Sequence, residues 1–290
     1  MRTLFSSLFF AALLVPLLAS AAPPDAKLLE ELTGLPVEVA GDVAKVSKPR
    51  ADVHEVVDGR ALKPFQGLTS WAAFQPTGKD TFVMGDLVLL EHEVNPTLSA
   101  ALSNGLEVTA LHNHFFYDNP RVYFMHIGGS GTLQALGAAV KKTLDAGAAA
   151  PKAESFSGAT ASEADSIDPA PLEKIFGTKS QAKDGMAKFV FGRTTKMHGA
   201  SMGAAMGVNT WAVFAGAPDA ALVDGDFAML ESELQGVLKA LRTASINVVA
   251  IHNHMTHEEP RIVFLHYWGK GAAEELARGV QAARLTQGGS

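Results

Sequence analysis

The chain has 290 residues, a formal net charge of -6 and no cysteine. The absence of cysteine excludes a disulfide-built extracellular domain. The acidic balance, with no block of Lys and Arg, argues against nucleic acid as a partner. With 47% hydrophobic and 19% charged residues, the composition is that of a globular protein long enough for two domains or one double-sized one.

The first residues read as a targeting segment. Arg2 supplies a positive start, and Leu4 to Leu18 is apolar but interrupted by Ser6, Ser7 and Pro16. Ala19-Ser20-Ala21 is a small-x-small cleavage signal. The expectation is a signal peptide over 1–21, a mature chain from Ala22, and a periplasmic or secreted location. No lipid-bearing cysteine follows the cleavage signal, and no other run is long and apolar enough to span a bilayer.

Leu28 to Gly34 reads as a short amphipathic helix stopped by glycine. Val43 to Val46 is extended, Thr69 to Phe74 and Thr81 to Leu90 are strands, and Gly85 suggests a bulge. Glu91 to Asn104 is a helix with Glu91 and Glu93 in its first turn, where they complement the helix dipole. Two strands follow, joined through Tyr117-Asp118-Asn119-Pro120, and then a helix over Thr132 to Asp145. Trp71 and Trp211 are expected in the core.

Val108 to Gly129 then recurs as Val248 to Gly269, 140 positions later, with ten of 22 positions identical. Gly85-Asp86, Glu91 and Glu93 recur at the same offset as Gly225-Asp226, Glu231 and Glu233. The chain is therefore read as two tandem copies of one α-β-β-β-α-β-β-α unit. Repeat 1 covers 22–148, an Ala/Ser/Gly/Pro-rich linker 149–171, and repeat 2 172–290. The fold class is α+β, with two pseudo-symmetric repeats, each a mostly antiparallel sheet with flanking helices, related like a homodimer.

Each repeat carries an H-x-H and a third histidine: His112, His114 and His126, then His252, His254 and His266. Side chains two apart in a strand share a face. An antiparallel return near Asn119 sets His126 opposite His112, with Val108 and Ala110 leaving room on that side. Three neutral imidazoles with an open position suit a divalent metal, zinc by default, although imidazole also suits copper, nickel and iron. Glu93 and Glu233 are the candidate carboxylate ligands or general bases. The alternative is a polar layer in which the histidines only hydrogen-bond. Arg121 and Arg261, each after a proline, are candidate clamps for a carboxylate or phosphate. Salt bridges to Asp118 and Glu258 are the simpler reading of those arginines. If there is chemistry, it is that of a metal-dependent hydrolase, and the partner is a small molecule or a cell-envelope component.

Two family resemblances follow from these residues. His54-x3-Asp58 ahead of His112-x-His114 resembles the zinc set of the lysostaphin-type (M23) cell-wall endopeptidases. It implies His54, Asp58 and His114 as ligands, with His112 assisting. The spacing is shorter than in that family, and the second repeat has no H-x3-D. More broadly, G-D-L-V-L-L-E-H-E-V-N-P, L-E-V-T-A-L-H-N-H and N-P-R-V-Y-F-M-H resemble the LppY/LpqO-type family of secreted bacterial proteins, a domain of unknown function. That likeness implies export and brings no activity. The second repeat departs from it at Leu234-Gln235-Gly236, where the first has Val94-Asn95-Pro96.

Overall fold

The structure, a computed structural model, describes residues 24–152, 162 and 164–288. The expected signal peptide and much of the expected linker lie outside the described residues. The first unit runs α1 (Ala26–Thr33), β1 (Val37–Ala40), β2 (Val43–Pro49), β3 (Thr69–Thr77), β4 (Asp80–Leu90), α2 (Glu91–Ser103), β5 (Glu107–His112), β6 (Val122–Gly131) and α3 (Leu133–Ala148). The second runs α4 (Pro169–Phe176), β7 (Gln181–Lys183), β8 (Met186–Gly192), β9 (Asn209–Ala217), β10 (Ala220–Leu230), α5 (Leu234–Thr243), β11 (Asn247–His252), β12 (Ile262–Gly271) and α6 (Ala273–Leu285). The order matches the repeat read from the sequence, with one strand added at the start of each unit. Those strands, β1 and β7, are short and mostly exposed, so they lack the apolar alternation that marks a strand.

These twelve strands form one sheet, in the order β1-β2-β3-β4-β6-β5-β11-β12-β10-β9-β8-β7, beside two small separate sheets. The strand pairings are antiparallel. The two units thus mirror each other about a seam between β5 and β11. Alternate strand residues, among them Phe74, Val83, Met125, Phe189 and Phe214, are fully buried with Leu29, Leu98, Val140, Val237 and Val280 from the helices. That continuous layer is the main core, and each such side chain contributes roughly 1.5–3 kcal/mol.

The opposite sheet face is covered only in patches. A small cluster of Val53, Leu68, Val88, Val122 and Phe124 has its counterpart in Val208, Ala228, Ile262 and Phe264. Between these patches the face is open. Trp71 and Trp211 lie on it half-buried, not in the core as expected. Lys45 Nζ stands 4.5 Å over the Trp71 ring and Lys188 Nζ 4.8 Å over the Trp211 ring, an arrangement that partly shields the indoles.

At the seam the ladder is short, and Leu111 pairs with Ile251. Both strands shift register just before this point, between Val108 and Ala110 and between Val248 and Ala250. Side-chain amides from the opposite unit take over there. Val108 N–H donates to Gln235 Oε1 at 3.0 Å, and Gln235 Nε2 donates to the Val108 carbonyl at 2.9 Å. Reciprocally, Val248 N–H donates to Asn95 Oδ1 at 3.0 Å and Asn95 Nδ2 to the Val248 carbonyl at 3.5 Å. The place where the second repeat departs from the first is thus a matched pair of amides, each capping the other unit's strand.

Gly85 is not a bulge. Register runs through it, from Ala72 to Gly85 to Ile127. A Cβ there would stand 2.7 Å from the Trp71 carbonyl oxygen, and at Gly225 2.3 Å from the Tyr267 hydroxyl. Glycine is required for close approach, and the aspartate beside it is thereby held against the next strand.

Candidate metal centre

The open face at the seam holds both histidine sets. The register shift changes the expected pairing: His126 lies opposite Ala110, and His112 lies opposite Phe124. It also puts Val108 into the core beside Leu111, both essentially inaccessible, so Val108 does not flank the histidines. The imidazoles still converge, because diagonal cross-strand neighbours are within reach of long side chains. His126 Nε2 is 3.0 Å from His112 Nε2. His114 and His254, two residues beyond the ends of β5 and β11, lie flat on buried phenylalanines. Ring centroids are 3.3 Å apart for His114 on Phe124 and 3.4 Å for His254 on Phe264.

The carboxylate beside the histidines is not the one expected. Asp226 lies opposite His266 in the sheet, as Asp86 lies opposite His126. Asp226 Oδ2 is 3.4 Å from His254 Nε2, which is 3.1 Å from His252 Nε2. Asp226 Oδ1 accepts from Leu265 N–H at 3.1 Å, which fixes the carboxylate. The ligand atoms of Asp226, His252 and His254 all lie within 4.8 Å of one another. His266 stacks on His252 at 4.7 Å between centroids and stands outside that trio. In the first unit, Asp86 Oδ1 is buried without a hydrogen-bond partner.

Burial dominates the electrostatics. It lowers His252 to about 4, helped by the neighbouring His266 and His254, and lowers His114. It raises Asp226, against the pull of His266 and His254. His252 Nδ1 is buried without a partner. A buried carboxylate facing imidazole nitrogens is a donor set that one cation satisfies.

Glu93 and Glu233 are committed elsewhere. Glu93 binds Arg50 through both oxygens, at 2.8 and 3.0 Å, and accepts from Leu90 N–H at 2.9 Å. Glu233 repeats this with Arg193, at 2.7 Å to Nη2, and with Leu230 N–H at 2.8 Å. These glutamates tie the start of the helical segment after β4 or β10 to the preceding loop, and the expected ligand or base role is corrected to that structural one. The arginine partners lie 43 and 40 residues upstream.

Arg121 hydrogen-bonds Tyr123, and Arg261 is exposed. The expected acid partners serve the backbone: Asp118 accepts from Val122 N–H and Glu258 from Ile262 N–H, both at 3.1 Å. His54 and Asp58 are exposed, and Asp58 lies in the turn of the small hairpin Val56–Val57/Arg60–Ala61. The M23-type set is not assembled, and a helix-backed sheet replaces that family's all-strand fold.

The missed residues, Asp86 and Asp226, had a signal. A Gly-Asp pair recurs 140 positions on, within strands whose other residues are largely apolar. An acid is tolerated there only with a partner.

Among curated proteins none matches this chain. Of solved structures, a trimeric bacterial microcompartment shell protein, PduB, is 14% identical over 85% of this chain and 87% of its own, with a TM-score of 0.20. EtuB from Clostridium kluyveri is 10% identical over 88% and 90%, with a TM-score of 0.23. Likeness at that level carries no argument about this chain. The family model is decisive instead: it matches residues 27–146 and again 170–285, so the chain belongs, as two tandem copies, to the family described as Domain of Unknown Function (DUF1259).

Proposed function

We propose that this is an exported protein of the LppY/LpqO type that binds a divalent metal ion, zinc by the chemistry of its donors, on the open face of the sheet. The ligands are Asp226, His252 and His254, and Asp86, His112, His114 and His126 form the first unit's counterpart. One observation carries the reading. The two imidazole nitrogens lie 3.1 Å apart, with the aspartate oxygen 3.4 Å from one of them. Ligands at about 2.0–2.2 Å from a tetrahedral zinc stand about 3.3 Å from one another. The two imidazoles and the carboxylate, all within 4.8 Å of one another, are near enough for one ion to bridge with small adjustments. Three protein ligands leave a fourth position for an exogenous ligand, and bound zinc would supply Lewis acidity there.

The test is metal analysis of the mature chain beside Asp226→Asn, His254→Ala and His114→Ala. Zinc close to one ion per chain in the wild type, lost in Asp226→Asn and His254→Ala, is the expected result. Zinc retained by both, or none bound by the wild type, overturns the reading. A wild type holding close to two ions, one of them lost in His114→Ala and the other in Asp226→Asn, shows that the first unit also loads. N-terminal sequencing of the exported chain is expected to begin at Ala22.

A further inference from the structure

We infer that the groove beside this centre is a binding site for a small molecule bearing one oxyanion, held between the metal and the guanidinium of Arg261. The inference rests on the metal reading for one of its two holding points. The groove measures about 820 Å³ and crosses the seam, with Thr109 and Ala110 of the first unit on one side and His252 and Arg261 of the second on the other. A metal ligand and a cation thus line one cavity.

Arg261 is available for this role because of a single exchange between the repeats. Arg121, itself exposed, has the Tyr123 phenol as an interaction partner. The residue corresponding to Tyr123 is Val263, which has no polar atom to offer. The nearby acid, Glu258, is buried and engaged with the Ile262 backbone. Among the described residues Arg261 has neither an ion pair nor a hydrogen bond, and it faces the groove. A free guanidinium presents a planar fork suited to a carboxylate or phosphate. Glu107 and Glu231 also line the groove, and their charge selects against polyanions. The ligand class is therefore a monocarboxylate or a singly charged phosphate compound.

Calorimetric titration of the zinc-loaded mature chain with benzoate and with inorganic phosphate tests this, and the tighter probe identifies the oxyanion. Arg261→Ala is expected to weaken binding at least tenfold with zinc content unchanged. Val263→Tyr, which gives Arg261 the partner that Arg121 has, is expected to weaken it several-fold. Arg121→Ala is expected to leave it unchanged. Wild-type protein that binds neither probe, or Arg261→Ala protein that binds as wild type, overturns the inference. Failure of the metal reading shows separately, as a chain that takes up no zinc. In that metal-free chain, loss of probe binding in Arg261→Ala still upholds the groove, and its retention overturns it.

Discussion

The two units share a framework and differ at the site. In both, a histidine two residues past a strand end lies on a buried phenylalanine, an aspartate faces the third histidine, and an Arg-Glu pair secures the segment after β4 or β10. The differences lie around that frame. Asp226 is fixed by Leu265 N–H and reaches His254, whereas Asp86 Oδ1 has no partner. Arg121 has the Tyr123 phenol as an interaction partner, whereas the residue matching Tyr123 in the second unit is Val263. Among the described residues buried Glu55 has no hydrogen-bond partner for either oxygen, whereas Thr195, which opens the matching hairpin, donates to the Pro260 carbonyl at 2.7 Å. Duplication left the scaffold in two copies, and the residues on its open face were freed to diverge.

The sharpest way to break the comparison is at the shared framework. Arg50→Ala leaves Glu93 as an uncompensated buried charge, with both partners less than a tenth exposed, and is expected to cost about 3–5 kcal/mol in urea unfolding. Arg193→Ala is expected to cost less, since Arg193 is 15% exposed. Equal or reversed costs would show that burial of the arginine does not set the difference between the two pairs.

Next in size is the pH response of the first unit. Burial and the charge of Asp118 raise Glu55 from 4.5 to about 7. Between those values the folded chain holds the proton more tightly than the unfolded one. The Glu55 contribution is thus fully present below about pH 4.5 and is lost as pH rises through 7, a change on the order of 2 kcal/mol. Glu55→Thr, which installs the second unit's residue, is expected to flatten that part of the melting-temperature profile. A variant whose profile parallels the wild type from pH 4.5 to 7.5 would remove Glu55 from the account.

The smallest expected effect is at the seam. Asn95→Ala and Gln235→Ala each leave a strand N–H and carbonyl without their amide, at about 1–2 kcal/mol. Gln235 is expected to cost more, because its bond to the strand carbonyl is 2.9 Å against 3.5 Å for Asn95, the N–H bonds being equal. Thermal melts that do not move for either variant would show that solvent satisfies those groups equally well.

Much of this was legible. The 140-residue offset revealed the repeat because strands and helices of one fold need the same apolar spacing twice, and the three paired histidines were placed on one face. The seam was not legible. β5 and β11 read as ordinary buried strands, and nothing in an apolar run says which neighbour it pairs with. The register shift at Thr109 broke the period of two, so Val108 and Leu111 share a face that simple alternation denies them. Glu93 was named for its place at a helix start, and Asp86, inside a strand, served only to mark the repeat. The rarer placement marked the site, and Arg50, 43 residues upstream, was the partner that local pattern could not supply.

The amide exchange at the seam also protects the sheet. β5 and β11 each present a row of backbone groups that, in a unit standing alone, would be a bare edge open to pairing with any extended chain. Joined, they bury each other's weakest flank, and the outer limits of the sheet fall to β1 and β7, which are only four and three residues long. Tandem fusion thus turns the most aggregation-prone border of the repeat into its centre, and leaves solvent only short strands too small to template growth.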